Sequence, residues 1–186
     1  LNVAAAKGQP EMVEFLVNDI GMNVDTICYG VSPTYCCFPS MHDGENNFSR
    51  ERLNAAKAFM DNNANLSHQS KSSLSVINTA CWINDKSLRE AALVAITENM
   101  QENEQDCNIS TSNGGNALHS LLGRPLDTFD NIESQVIILV NSGVKPHQET
   151  TLCRKPIDYL SEPNKVKFET LLNSASITLP ETDRSR

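Results

Sequence analysis

Cysteine and histidine are the residue types in this chain that could supply a nucleophile and a base. Six cysteines and four histidines are spread along its 186 residues. A thiolate at Cys36 or Cys37, paired in space with His42, His68 or His119, would have the composition of a cysteine hydrolase site. The pairing is spatial and no local signature accompanies it, so packing roles for these side chains are the first expectation.

Metal and phosphate chemistry find less support in the spacing of residues. No Cys-x-x-Cys pair and no Cys/His spacing typical of a zinc site occurs. Gly114-Gly115 has no predicted strand before it and no Lys after it, both of which a phosphate loop needs. The sequence therefore predicts no metal and no cofactor.

The charge pattern argues against nucleic acid as a partner. The formal net charge is −8, and the longest basic grouping is Arg154-Lys155. A nucleic-acid binder needs a basic stripe to displace counterions from phosphates, whereas this balance favours a basic or polar partner.

The sequence contains no stretch of 18 uncharged apolar residues, so it predicts no membrane insertion. Scattered cysteines without a framework spacing indicate free thiols in a reducing compartment.

Apolar periodicity and few aromatic residues (5%) predict an all-α protein. Short helices alternate with Gly- and Pro-containing turns, and the plan recurs along the chain. The expected helix pairs are 1–7 with 11–18, 33–39 with 51–62, 73–83 with 87–104, 117–122 with 132–141, and 156–161 with 164–173.

Five phrases carry the recurrence. They are LNVAAAKGQPEMVEFLVN from Leu1, GVSPTYCC from Gly30, SSLSVINTACW from Ser72, GGNALHSLL from Gly114 and CRKPIDYL from Cys153. Together they resemble the ankyrin repeat, in which Gly-x-Thr-Pro-Leu-His-x-Ala-Ala opens each unit. The resemblance implies an α-solenoid of helix-turn-helix units with projecting turns.

The resemblance also implies a domain plan. An ankyrin repeat domain is expected over residues 1–173, with repeats at about 1–29, 30–69, 70–113, 114–152 and 153–173, and a flexible tail at 174–186. The equivalent apolar positions are taken as Leu1, Thr34, Leu74, Leu118 and Ile157, spaced by 33, 40, 44 and 39 residues. The family period is about 33, so insertions are expected, at 40–50 and 124–131. The array opens inside a repeat, which suggests that further sequence precedes Leu1.

In ankyrin arrays the turns project like fingers and the first helices form a palm, and partners bind there. The resemblance places Ser32 and Lys155 at the helix-capping position, where Ser can cap and Lys cannot. It implies hydrogen bonds from His119 to the turn backbone, while Trp82 is expected to pack against the following helix. Tyr29 and Arg154 are the expected anchors, because aromatic and Arg side chains dominate interface energetics. The partner-binding positions are Ala6, Lys7, Cys28, Tyr29, Val31, His68, Gln69, Lys71, Ser112, Asn113, Gly115, Thr151, Leu152 and Arg154.

The sequence therefore predicts a protein-protein interaction module that is monomeric, cytoplasmic and not itself an enzyme. Two alternatives stay open: a targeting module for an enzyme elsewhere in a longer chain, and a Cys-dependent activity in an insertion. The chain also loosely resembles irregular ankyrin proteins that intracellular bacteria inject into host cells or that viruses encode. For such a protein the compartment would be the host cytosol.

Overall fold

The computed structural model describes residues 1–39, 48–124 and 128–174, and this part of the chain is all-α. Its β-structure is a single isolated bridge between Cys28 and Val31. The helices form two rows that alternate along the sequence. The first row contains α1 (Asn2–Ala6), α3 (Pro33–Cys36), α5 (Val76–Ala80), α7 (Ala117–Leu122) and a 3-10 helix (Pro156–Tyr159). The second row contains α2 (Pro10–Glu14, continued by a π-helical turn at Phe15–Asp19), α4 (Arg50–Asp61), α6 (Lys86–Glu102), α8 (Phe129–Asn141) and α9 (Glu162–Leu172).

Each helix packs against the next member of its own row. In the first row α1 contacts α3, α3 contacts α5, α5 contacts α7, and α7 contacts the 3-10 helix. In the second row the same order runs from α2 through α4, α6 and α8 to α9. Short helices of this kind cannot bury an apolar face alone, so packing against neighbours stabilises them.

The core lies between the two rows. Small residues allow the first-row helices to approach closely, and Ala4 and Ala5 of α1 are both buried. Larger apolar side chains on the second row, among them Val13, Leu53 and Leu139, are fully buried. Their burial supplies most of the stability of the fold, at about 25 cal/mol for each Å² of apolar surface removed from water.

Four second-row helices end in the same way. In each, the residue after the C-cap has a positive φ, as expected where a left-handed residue ends a helix. These residues are Gly21 (φ 75°), Asn63 (φ 58°), Glu104 (φ 56°) and Gly143 (φ 97°). The recurrence of one backbone conformation at equivalent places shows that the four segments share a local design.

The predicted helix pairs are present, but several boundaries differ from expectation. The helix expected over 33–39 ends at Cys36, and the helix expected over 73–83 ends at Ala80. The helix expected at 73–83 begins at Val76, and Ser75 is its N-cap residue, so the start was placed three residues too early. The helix expected from residue 132 begins at Phe129, which shortens the expected 124–131 insertion. The segment expected to be helical over 156–161 is a 3-10 helix that ends at Tyr159.

Other expectations fall partly outside the described residues. This group comprises residues 40–47 of the expected 40–50 insertion, 125–127 of the second insertion and 175–186 of the expected tail. Within the described ranges, no helix combines the length and apolar character needed to cross a membrane.

Candidate functional site

Four turns precede first-row helices and form the surface that we call the turn edge. They span residues 28–31, 70–74, 111–115 and 150–154. Each turn is closed by a backbone hydrogen bond between its first and last residues. The N–H groups of Cys28, Ser70, Thr111 and Thr150 donate to the carbonyls of Val31 (3.1 Å), Leu74 (2.9 Å), Gly115 (2.7 Å) and Arg154 (2.9 Å).

Contacts between neighbouring turns make the turn edge continuous. The side chain of Lys71 lies so close to Gly30 that a Cβ atom there would be 2.6 Å from Lys71 Cε. Further along, Gln69 Nε2 donates to the carbonyl of Ser110, just before the third turn. The third and fourth turns are joined where the Thr151 N–H donates to the Asn113 carbonyl (2.8 Å). Hydrogen bonds therefore link the segments of the second, third and fourth turns, and the Lys71 side chain contacts the first turn.

A polar network beneath the edge holds the loops that lead into the turns. Asn108 Oδ1 accepts a hydrogen bond from the Lys145 N–H (2.9 Å), and Asp25 Oδ1 accepts one from the Asn65 N–H (2.9 Å). Asn116, which is fully buried, donates through Nδ2 to the Lys145 carbonyl (2.8 Å). Of these three side chains Asn116 is the buried one, and a buried polar group satisfied in this way rigidifies its surroundings.

His119 connects the third turn region to the fourth. Its Nε2 lies 3.1 Å from the Arg154 carbonyl oxygen, which can only accept, so Nε2 carries a proton. Its Nδ1 lies 3.0 Å from the Asn116 backbone nitrogen, whose N–H donates to it. Burial lowers the pKa of His119 below its usual 6.5, although the Arg154 carbonyl and the Asp158 carboxylate act in the opposite direction. Asn116 Oδ1 also lies 2.9 Å from Nδ1, so it is the lowered pKa that favours the neutral ring. The contact between His119 and the turn backbone expected from the sequence is present.

Two other first-row helices use the same position, counted from the N-cap, for the same purpose. Asn78 Oδ1 accepts from the Ser75 N–H (3.2 Å), and Asp158 Oδ2 accepts from the Lys155 N–H (2.7 Å). The second unit has the reciprocal bond, in which the N-cap side chain Ser32 Oγ accepts from the Tyr35 N–H (3.2 Å). In the last unit Asp158 thus satisfies the backbone N–H of the Lys at the N-cap position.

The structure gathers most of the predicted partner-binding residues along one edge. Those with exposed side chains are Ala6, Lys7, Cys28, Tyr29, Lys71, Ser112, Asn113, Thr151, Leu152 and Arg154. Val31, His68 and Gln69 are half-buried, and Gly115 is buried with its N–H donating to Asn113 Oδ1. Ala6 and Lys7 lie at the end of α1, in the row of helices that follow the turns. Gly115 thus helps to shape a turn and presents little surface.

The two ends of the turn edge expose large apolar side chains. Tyr29 is 91% exposed and Leu152 is 76% exposed, whereas the tips between them carry Lys71, Ser112 and Asn113. Tyr29 also has a φ of 54°. A bulky residue in the left-handed region is an outlier that costs about 1–2 kcal/mol relative to ordinary backbone. An exposed aromatic residue held at this cost is a candidate for a binding role.

Sequence reasoning missed the residues that build the edge from below. Asn78 was not recognised as the counterpart of His119, and Gln69 was placed at the surface rather than between two turns. The signal for Asn78 was available, because Ser75 and Asn78 stand at the N-cap and N3 positions of a capping box.

The environments of Cys36, Cys37 and Cys81 disfavour a nucleophilic thiolate. All six are free thiols, and Cys36 accepts a hydrogen bond from Asn2 Nδ2 (3.3 Å) rather than from a histidine. Burial raises the pKa of Cys36 and Cys37, and it raises the pKa of Cys81 to about 12. A raised pKa suppresses the thiolate at neutral pH, so these groups are poor nucleophiles. His42 lies outside the described residues.

The described part of the chain contains no group of three His, Cys, Asp or Glu side chains placed to hold a metal ion. An open groove between α4 and α6 is lined by Lys57, Lys86 and Glu90 among others, and none of its lining residues is buried. Trp82, expected to pack against α6, is half-buried against the core.

The sequence matches no model of a known protein family and no curated protein.

Proposed function

We propose that this chain is an ankyrin-repeat array that binds a partner protein through its turn edge and first-row helices. The repeat assignment is supported by a local unit that recurs four times. In each, a residue with positive φ stands two positions before the N-cap of a first-row helix. The pairs are Gly30 with Ser32, Ser73 with Ser75, Gly114 with Asn116, and Cys153 with Lys155.

The order of packing supports the same assignment. Each helix contacts the next in its own row, so stability accumulates from neighbour to neighbour as in a linear repeat protein. The long intervals between units, from Thr34 to Ile77 (43 residues) and from Ile77 to Leu118 (41 residues), distinguish this array from one with a regular period.

The observation that carries the binding role is the exposure of Tyr29 and Leu152 at the two ends of a turn edge whose turns are joined to one another. Tyr29 is almost fully exposed on a backbone conformation that disfavours a large side chain. Aromatic side chains on rigid supports are common energetic anchors of protein interfaces. A partner that contacts both ends would span several turns at once, which favours one extended interface.

We further propose that the array acts as a monomer in a reducing compartment such as the cytoplasm. Free thiols at Cys37, Cys81 and Cys107 are buried in the core, as expected for small apolar side chains that never need to pair. The proposed binding role requires no cofactor.

The experiment that tests this function compares proteins captured by variants of the chain. Wild type, a Tyr29→Ser/Leu152→Ser double variant and a Glu133→Ala variant on the exposed face of α8 serve as bait in the same cell extract. A partner of the turn edge should be retained by wild type and Glu133→Ala and be lost from the double variant. If every protein captured by wild type is also captured by the double variant, the turn edge is not the binding surface.

A further inference from the structure

Charge is distributed unevenly between the two rows of helices. Acidic side chains outnumber basic ones on the exposed faces of three second-row segments and are Glu11, Glu14, Asp19, Glu98, Glu102, Asp130 and Glu133. The four turns and the residues that flank the first-row helices carry instead four basic residues, namely Lys7, Lys71, Arg154 and Lys155. Among the described residues, the acidic side chains of Glu149 and Asp158 oppose them there. A protein with a net charge of −8 thus presents a basic turn edge.

Three of these cations are available to a partner. Lys155 is near Glu149, with Nζ and Oε1 3.6 Å apart. Lys7, Lys71 and Arg154 are exposed, and within the described residues their charged groups make no hydrogen bond or ion pair. An unpaired cation on a rigid turn can attract a carboxylate without first breaking an existing interaction.

Each end of the turn edge combines one apolar side chain with one cation. At one end, Lys71 lies across Gly30, the residue that follows Tyr29. At the other end, Leu152 and Arg154 belong to the same turn, whose closing bonds run from the Arg154 N–H to Thr150 Oγ1 (3.2 Å) and from the Thr150 N–H to the Arg154 carbonyl (2.9 Å). The backbone of Arg154 is fixed further by His119, while its side chain projects into solvent.

We infer that the partner presents an acidic segment in which apolar side chains alternate with carboxylates. Apolar groups would contact Tyr29 and Leu152, and carboxylates would pair with Lys71 and Arg154. The inference rests on the proposed function and specifies the chemistry of its partner. It reverses the expectation from net charge alone, because the acidic residues that set the net charge lie mainly away from the turn edge.

The test reverses charges in matched pairs. One variant carries Lys71→Glu and Arg154→Glu, and the control carries Lys57→Glu and Lys86→Glu on α4 and α6, which changes the net charge equally. The probe is a synthetic peptide of alternating Glu and Leu, and amide chemical shifts of the chain report binding at low salt. We expect shifts in the first, second and fourth turns, a loss of affinity of about tenfold or more in the turn variant, and little change in the control.

Two further probes make the result decisive. A peptide of alternating Lys and Leu should leave the turn edge unperturbed, and a single-stranded oligonucleotide should bind no better than the acidic peptide. Preference for the Lys peptide or the oligonucleotide would overturn the inference, as would equal binding by both double variants.

The outcome can be separated from that of the proposed function. If a captured partner needs Tyr29 and Leu152 but is indifferent to the charge reversal, the binding surface stands and its acidic partner does not. If the partner is indifferent to both, the proposed function itself fails.

Discussion

The imidazole of His119 lies 3.1 Å, Nε2 to oxygen, from the carbonyl of Arg154, the residue that completes the fourth turn. Because Nδ1 of the same ring accepts from the Asn116 N–H, one side chain couples the start of α7 to the turn ahead of the 3-10 helix. The position of the Arg154 side chain on the turn edge therefore depends on a buried neutral histidine.

Replacing His119 should destabilise the fold measurably. In His119→Ala the buried Asn116 N–H loses its partner, and an unsatisfied buried group costs about 1–3 kcal/mol. His119→Asn should lose less, since Asn78 shows that an amide can accept the equivalent N–H bond. Chemical denaturation gives the free energy of unfolding, with the exposed His147→Ala as control. Equal stability of His119→Ala and wild type would show that the ring is not a structural link.

The same ring should make stability depend on pH. Its folded pKa lies below 6.5, so the unfolded chain binds more protons in the interval between the two values. The contribution of His119 is therefore fully present above pH 6.5 and is lost as the pH falls through 6.5 towards the folded pKa. Unfolding free energies at pH 7.5 and 5.5 should differ more for wild type than for His119→Gln. Identical pH dependence in the two proteins would contradict this.

We expect Tyr29 to strengthen partner binding and to lower the stability of the fold. Tyr29→Asn should raise the free energy of unfolding by up to about 1 kcal/mol, because Asn tolerates the left-handed region and Asn-Gly suits a two-residue turn. The same change should weaken partner binding. Tyr29→Phe keeps the ring and is the control for both measurements. A Tyr29→Asn protein that is less stable than wild type would refute the strain argument.

The cysteines should react in two classes. Cys28 and Cys153 are exposed and should be modified within the first phase by a thiol reagent at pH 8. Cys37, Cys81 and Cys107 are buried with raised pKa values and should react only after unfolding, while Cys36 is intermediate. Denatured protein without reductant should give six thiols, matching the six cysteines. A count of four or fewer in fresh protein would show that disulfides form.

Much of this fold follows from local patterns, and the errors have a common cause. Apolar spacing places the second-row helices well because their long buried faces repeat over several turns. The short first-row helices hold few apolar positions, so a neighbouring apolar residue can shift the register. Leu74 was taken as the equivalent apolar position, whereas the N-cap at Ser75 makes Ile77 the counterpart of Leu118.

The candidate site was predictable at its tips and not beneath them. Turn residues such as Tyr29 and Leu152 follow from the repeat phrase alone. The links from Lys71 to Gly30 and from Gln69 to Ser110 join residues about 40 apart in sequence, and no local pattern encodes such pairs. The separation of charge between the rows was likewise hidden, because it depends on which face each helix exposes.

The most direct test of the binding surface is the dissociation constant of one purified partner for four variants of the chain. Tyr29→Ala and Arg154→Ala change opposite ends of the turn edge, and Glu14→Ala and Glu133→Ala change exposed positions on α2 and α8. Leu139→Ala serves as a stability control, since loss of a buried Leu costs about 2–5 kcal/mol and would act on binding only through unfolding.

We predict that each turn variant weakens binding by about 2 kcal/mol, or about thirtyfold in Kd, while its circular dichroism and melting midpoint stay close to those of wild type. The Glu14 and Glu133 variants should bind as wild type does. Normal binding by both turn variants, together with loss of binding in Glu14→Ala and Glu133→Ala, would contradict the assignment of the turn edge as the interface.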